Sequence, residues 1–351
     1  MPANDEVEVI APHFKRRLSG VTSTVIQLVP RQHQSGVRIA TLGPGLPDNL
    51  PKISFVDLLK CWKRPSSGKP RIWHARRNNE MLFGIFLRDV LGMPFRLLFT
   101  SAAQRRHTGY TKWLIRRMDA VVATSGRSGS FLDVPHTVVM HGIDTELFHP
   151  PREASDRYES TGLPGRYAIG CTGRVRHQKG TDLFVEAMIR LLPRFPDWTA
   201  VITGRVTPDN QAFASELKAK IASAGLSERI RFLGEVDDIR AWYRRLTLLV
   251  APSRNEGFGL TPLEAMASGT AVVASDAGAY AEMIRDGATG RVVPAGDLEA
   301  MVSAIEPYLA DPALAERQGE AAIGHVRHNF DISNEVAGLN RVYEALVLSG
   351  R

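Results

Sequence analysis

Short apolar runs alternate with helical patterns along most of the chain, and this alternation limits the possible folds more than any other property. Val7 to Ala11, Val37 to Leu42, Arg71 to His74, Arg96 to Phe99, Ala120 to Ala123 and Thr137 to Met140 read as strands in the first half. Tyr167 to Thr172, Ala200 to Thr203, Arg231 to Leu233, Leu248 to Ala251, Ala271 to Ala274 and Arg291 to Val293 repeat the pattern in the second. Helical stretches fall between them, such as Asn79 to Leu91 and residues 180–192, 209–223, 239–246, 262–268 and 279–284. The last 40 residues carry helical signals only. Neighbouring parallel strands need a crossover, and an intervening helix supplies it. The expected fold class is therefore α/β, with parallel sheets covered by helices on both faces. A chain of 351 residues suits two domains better than one. Pro150 to Arg166, rich in Pro, Gly and polar residues, is the expected linker. The predicted organisation is two doubly wound domains facing a cleft, residues 1–160 and 161–330, with a terminal helix at about 331–351.

Composition narrows the function classes. Apolar residues make up 44% and charged residues 23%, as in ordinary soluble proteins. No uncharged apolar run approaches the roughly 18–20 residues of a spanning helix. The opening Met-Pro-Ala-Asn-Asp-Glu is acidic, unlike a secretory leader. The two cysteines, Cys61 and Cys171, imply no disulfide framework, so a reducing, cytoplasmic setting is expected. Charge is uneven: residues 1–151 hold 21 Lys/Arg against 11 Asp/Glu, whereas residues 152–351 hold 23 against 26. Three clusters in the basic half interleave aromatics: His13 to Arg17, Lys60 to Arg64, and Arg105 to Arg117 around Tyr110 and Trp113. Such clusters suit an anionic partner such as a membrane surface, an acidic glycolipid or nucleic acid; a solvated basic face is the plainer reading.

Two segments carry the chemistry. Gly170 to Thr181 reads Gly-Cys-Thr-Gly-Arg-Val-Arg-His-Gln-Lys-Gly-Thr and follows a strand. Ligands of doubly wound sheets bind outside the carboxyl ends of strands. Arg174 and Lys179 there could clamp a diphosphate, Arg forking onto two oxygens and Lys acting as a point charge. The alternative is a basic surface loop with Gly173 and Gly180 as turn residues. From Pro252 to Gly269 the chain reads Pro-Ser-Arg-Asn-Glu-Gly-Phe-Gly-Leu-Thr-Pro-Leu-Glu-Ala-Met-Ala-Ser-Gly, with Glu256 and Glu264 eight positions apart. Thr261-Pro262-Leu263-Glu264 also matches a capping box, which would account for Glu264 without a ligand. Glu256, before the turn Gly257-Phe258-Gly259, has no such local role, and an ordinary surface-loop carboxylate is its alternative reading.

Together, Gly-Arg-x4-Lys-Gly and Glu-Gly-Phe-Gly-x4-Glu-Ala-Met-Ala-x-Gly resemble the donor-site signature of retaining glycosyltransferases of family 4, which have the GT-B fold. Val139 to Phe148, the strand Ala120 to Ala123 running into Thr124-Ser125, and Gly290 to Pro294 resemble further stretches of that family. The resemblance implies two Rossmann-like domains and a C-terminal helix crossing back to the first, acceptor-binding domain. It implies that Arg174 and Lys179 hold the donor diphosphate and that Glu256 meets the transferred sugar, supported by the amides of Gly257 and Phe258, with Gly259 in the same turn. It further implies that Thr261 lies near phosphate, that Glu264 accepts from the ribose, that the base packs at Leu233 to Val236, and that Gly20 admits phosphate from the other domain.

Departures lie in the first domain, where Leu-Ser-Gly-Val-Thr-Ser (18–23) stands in place of the usual Gly-Gly turn. The acceptor-side His of the family has no clear counterpart. His74 and Arg76, and more weakly His107, are candidates for sugar or acceptor contact, with a structural strand-end His as the alternative for His74. No Asp-x-Asp at a strand end and no His-Glu-x-x-His pattern indicates a metal, so metal-independent transfer with no cofactor beyond the nucleotide sugar is expected. Within the family, Ile72 to Met81 and Phe99 to His107 look most like bacterial lipopolysaccharide-core mannosyltransferases. That likeness implies GDP-mannose as donor, an acidic Kdo–lipid A acceptor, and peripheral contact with anionic lipid at the inner face of the inner membrane. A UDP-sugar transferase acting on another envelope glycan is the alternative. A non-enzymatic nucleic-acid binder is the remote one, since no nucleic-acid motif supports it.

Overall fold

The structure, a computed structural model, describes residues 6–15 and 20–348, which form two compact units. Residues up to Gly142, together with those from Ile332 onward, make the first; Ile143–Asp331 make the second.

In the first unit, β1 (Val9–Pro12), α1 (Gly20–Gln34), β2 (Ile39–Leu42), β3 (Lys52–Ile53), β4 (Arg71–Ala75), α2 (Asn78–Ile85), β5 (Phe95–Ser101), α3 (Gly109–Ile115), β6 (Ala120–Ala123), α4 (Gly126–Gly129) and β7 (Thr137–Val138) follow in order. All pairings are parallel, in the spatial order β3-β2-β1-β4-β5-β6-β7. Successive strand residues point to opposite faces, so Trp73, Leu97 and Phe99 enter one hydrophobic layer while Ile72 and Leu98 enter the other. Both faces are buried, which is why these strands read as continuous apolar runs. The two-residue β3 escaped sequence reading, because so short a strand leaves no alternation to detect. The predicted helix over 79–91 divides into α2 and a π-helical segment, Phe86–Val90.

The second unit contains β8 (Tyr167–Thr172), α5 (Thr181–Leu191), β9 (Trp198–Thr203), α6 (Gln211–Ser223), β10 (Ile230–Gly234), α7 (Ile239–Arg245), β11 (Leu248–Ala251), α8 (Thr261–Ala267), β12 (Ala271–Ser275), α9 (Tyr280–Met283), β13 (Gly290–Val293), α10 (Leu298–Ala310) and α11 (Pro312–Asn329). Its sheet is parallel, ordered β10-β9-β8-β11-β12-β13. Apolar residues of α5, α6 and α10 close one face, centred on Phe184, Met188, Leu217 and Ile305. Full burial of a side chain like Phe184 contributes about 2–3 kcal/mol.

The last helix, α12 (Ile332–Leu348), belongs to the first unit. Val336, Leu339 and Tyr343 pack with Val25, Leu28 and Val29 of α1. The Gln32 amide donates to the Tyr343 hydroxyl at 3.0 Å. Glu335 bonds His141 at 2.7 Å and accepts from the Gly142 amide at 2.9 Å.

The expected linker is not one. Between Pro150 and Arg166 the chain makes two short 3-10 turns docked on the second unit. Buried Asp156 pairs with Arg244 at 2.5 Å, and the Pro164 carbonyl accepts from Tyr158 at 2.7 Å and Thr199 at 2.5 Å. The Pro and polar residues that suggested a flexible link instead shape packed turns. The division falls at Gly142/Ile143, ahead of the expected residue 160.

Candidate active site

In the second sheet the chain leaves β8 outward to β9 and β10, then returns to β11 on the other side of β8. Such a reversal opens a crevice at the carboxyl ends of the two central strands. The loops leaving β8 and β11 are the two segments singled out in the sequence. Glycine lets the local backbone approach closely. Gly180, at φ 71°, packs so tightly on the Pro252 carbonyl that a Cβ would collide with it. Arg254 then binds the loops together. Its guanidinium forks onto both oxygens of Asp182 at 2.7 Å and donates to the His177 carbonyl at 2.8 Å, while its amide donates to the Gln178 carbonyl at 2.9 Å.

Within this frame, the Lys179 ammonium is ion-paired with Glu256, and each side chain is 17% exposed. The other oxygen of Glu256 accepts from the Gly257 amide at 3.3 Å. The turn that follows is wedged: the Phe258 side chain is buried, its carbonyl accepts from Ala279 at 3.1 Å, and a Cβ on Gly259 would enter the Tyr280 ring. Arg174 is exposed and has no ion pair among the described residues. Gly173, at φ 120°, stands beside the Lys179 stem. Arg174, Lys179, Gly173, Glu256, Gly257, Phe258 and Gly259 therefore all belong to the two switch-point loops. Val236 lies beyond β10, the edge strand two places from β8.

The capping box does not form. Thr261 is already helical, Leu260 occupies the cap without a side-chain bond, and Pro262 follows in the first turn. The Glu264 carboxylate instead accepts from the Tyr243 hydroxyl at 2.6 Å. A nearly buried phenol offers a stronger, fixed partner than the backbone amide of a short helix. Burial raises the Glu264 carboxyl above the usual range, with Tyr243 and Lys179 holding it down. Tyr243 is pushed well above the usual phenol range by burial and then by Glu264. Burial, with the Glu256 charge, does the same to Tyr280. Buried Cys171 is pushed up to about 12, which makes it a packing residue and not a nucleophile.

In the first unit the reversal point is between β1 and β4. Gly20 opens α1; residues 16–19, with Arg16 and Arg17 of the first basic cluster, lie outside the described residues. His74 is not an accessible contact. It is fully buried, its ring nitrogens are taken by Tyr343 at 2.8 Å and Thr100 at 2.7 Å, and burial holds its pKa well below the ordinary value. Arg76 follows at the strand end. It donates to the His74 carbonyl at 3.2 Å, and its other terminal nitrogen is buried without a partner among the described residues. Arg77, missed in the sequence, contacts His13 at 3.0 Å and Glu80 at 2.9 Å. Burial and then Arg77 hold His13 at about 4. His107 stands 3.5 Å from Ser101, its pKa lowered by burial and Arg105.

Sequence reading also missed Arg254, Asp182 and Tyr243. Arg254 lies two residues before Glu256, and Asp182 is an acid in the first turn of α5; each carried a local signal. Tyr243 carried none, since its partner is 21 positions away on another helix.

Comparison with known proteins finds relatives for the chain. The family described as glycosyl transferases group 1 matches residues 157–325. The chain is 65% identical over 351 residues, all of both chains, to the lipopolysaccharide core biosynthesis mannosyltransferase LpcC of Rhizobium leguminosarum bv. viciae. It is 56% identical over 346 residues to LpsB of Rhizobium meliloti (strain 1021), a protein of the same description, covering 97% of this chain and 98% of that one. The Anabaena protein Alr3699/HepE, solved with UDP and glucose, shares the fold at TM-score 0.81 and 17% identity, over 97% of this chain and 100% of that one.

Proposed function

This chain belongs to the group 1 glycosyl transferases, alongside the lipopolysaccharide core mannosyltransferases, and from that premise we propose that it transfers mannose from GDP-mannose to an acidic inner-core lipopolysaccharide acceptor. One observation carries the site assignment: a Lys179–Glu256 ion pair at the switch point of the second sheet, beside a Glu264 already oriented by Tyr243.

In this reading the donor diphosphate displaces Glu256 from Lys179, and exposed Arg174 closes on the same group. Glu256 is then released to accept from sugar hydroxyls, while the oxygen of Glu264 not held by Tyr243 accepts from the ribose. As the bond from C1 to the diphosphate breaks, its electron pair passes to the phosphate oxygen. Lys179 and Arg174 stabilise that charge where it develops. The acceptor hydroxyl attacks on the face the diphosphate leaves, forms the new C1–O bond and yields its proton to the departing oxygen, so configuration is retained. Thr261 borders the phosphate, and Val236 the base. At the switch point of the first sheet, Arg76 and Arg77 offer cations to the acidic acceptor. Among the described residues no helix is long and apolar enough to cross a membrane. In this reading the enzyme meets its lipid-linked acceptor by peripheral contact with the inner face of the inner membrane.

The test is a thermal-shift panel of GDP-, UDP- and ADP-sugars, followed by mass analysis of a Kdo–lipid A acceptor. A ligand that binds only the native state raises the melting temperature with concentration. GDP-mannose should do so and add one hexose to the acceptor. Stabilisation and transfer by a UDP-sugar alone would overturn the donor assignment.

A further inference from the structure

The 3-10 turn Asp57–Trp62 presents an unusual exterior. In a 3-10 helix side chains three apart eclipse one another. Leu58 and Cys61 turn into the core, and Val56, Leu59 and Trp62 form one outward ridge, with Leu59 62% and Trp62 44% exposed. A second ridge lies beside it. Leu82, Phe86 and Val90, at four-residue spacing on α2 and its π-helical continuation, are also exposed, Val90 to 68%.

The ridges form one surface. The Phe55 and Phe83 rings lie 6.3 Å apart, as do Phe83 and Phe86, and the Trp62 indole N–H donates to the Leu91 carbonyl at 2.9 Å. That bond fixes the indole at the surface. A contiguous apolar face of this kind marks an interaction site more often than chance exposure. Its margin is basic: Lys60, Lys63 and Arg64 are exposed, and neither Lys63 nor Arg64 has an ion pair among the described residues. The nearby acids are occupied, Asp57 by Lys60 at 3.4 Å and Asp89 by Arg88 at 2.6 Å.

We propose that this face, the Val56–Leu59–Trp62 ridge with its Lys63–Arg64 margin and the neighbouring ridge of α2, seats the enzyme on an anionic lipid surface. Aromatic and aliphatic side chains flanked by cations suit the boundary between headgroups and acyl chains. A second copy suits the face less well, because a two-fold contact would bring two copies of the same basic margin into one interface while the nearby acids Asp57 and Asp89 are already paired. The proposal rests on the peripheral association proposed above and names the surface responsible.

Co-sedimentation of the full chain with vesicles of phosphatidylcholine, with and without phosphatidylglycerol, tests it. The wild type should bind the anionic vesicles and weaken with added salt. Leu59→Ser with Trp62→Ser should lower partitioning by about tenfold. Lys63→Gln with Arg64→Gln should lower it by about thirtyfold. Leu147→Ser, which removes an exposed apolar side chain of the second unit, should change nothing. Each variant must keep the wild-type far-ultraviolet circular dichroism spectrum and melting temperature, which shows that it folds. If the wild type ignores anionic vesicles, peripheral association itself fails. If it binds and both double variants bind equally well, only the surface assignment fails. A concentration-dependent dimer lost in the Leu59/Trp62 variant would assign the face to a second copy and overturn the proposal.

Discussion

Replacing Tyr243 by Phe removes one oxygen atom and leaves the ring that fills the core. The side chain is 2% exposed, and its hydroxyl donates to Glu264 at 2.6 Å. A hydrogen bond to a charged group is worth about 1.5–3 kcal/mol. Burial already raises the Glu264 carboxyl, and the Tyr243 bond is the largest influence opposing it. Without that bond the carboxyl rises further, and a larger fraction of molecules is protonated at any pH within its titration range. If the carboxylate accepts from the donor ribose, Tyr243→Phe should weaken GDP-mannose binding by about ten- to a hundredfold at neutral pH. The acid limb of the affinity profile should also move to higher pH. Titration calorimetry between about pH 5.5 and 8.5 reads both effects. Stability gives a second readout. A carboxyl whose pKa is raised in the fold keeps a proton that the unfolded chain has lost, so stability falls as pH rises from the ordinary carboxyl value of 4.5 through the raised one. In the variant the fall should continue to higher pH. Weaker affinity with an unmoved acid limb would mean that Tyr243 only packs, and unchanged affinity would refute the ribose role of Glu264.

Three other perturbations bear on the same structure. Glu256→Ala should lower kcat by at least about a hundredfold, yet leave GDP binding by calorimetry equal or tighter, because Lys179 loses its internal partner; a fully active variant would remove Glu256 from the mechanism. Gly180→Ala forces a side chain into the Pro252 carbonyl at a left-handed position, and urea melts should show a loss above about 2 kcal/mol. His13 and His74 titrate below the ordinary value of about 6.5, His13 at about 4 and His74 well under its usual range. The unfolded chain binds more protons across that interval, so stability should fall as pH drops from about 6.5 toward 4, and His13→Gln should flatten the decline.

Much of the fold could be read from the chain because parallel strands buried on both faces leave continuous apolar runs. Ala120 to Ala123, Tyr167 to Thr172 and Leu248 to Ala251 match the predicted limits. The domain boundary was misplaced because Pro and Gly mark turns, whether those turns are free or docked as at Asp156 and Tyr158. The loops of the site were legible since their glycines and charges lie close together in sequence. Their internal wiring was not. The Lys179–Glu256 pair spans 77 positions and the Tyr243–Glu264 bond joins two helices, and no local pattern encodes such contacts. His74 misled for a related reason: a strand-end imidazole looks the same in sequence whether it faces a ligand or, as here, a tyrosine of the last helix.

The fork of Arg254 on Asp182 bears on how these enzymes diversify. Here the loop after β8 and the loop after β11 share one guanidinium, two carbonyls and a glycine contact. A graft of one loop would leave half of each interaction behind. The exchangeable module is residues 173–182 together with 252–260, and chimeras that move the two as a set should keep their fold where single-loop chimeras lose it.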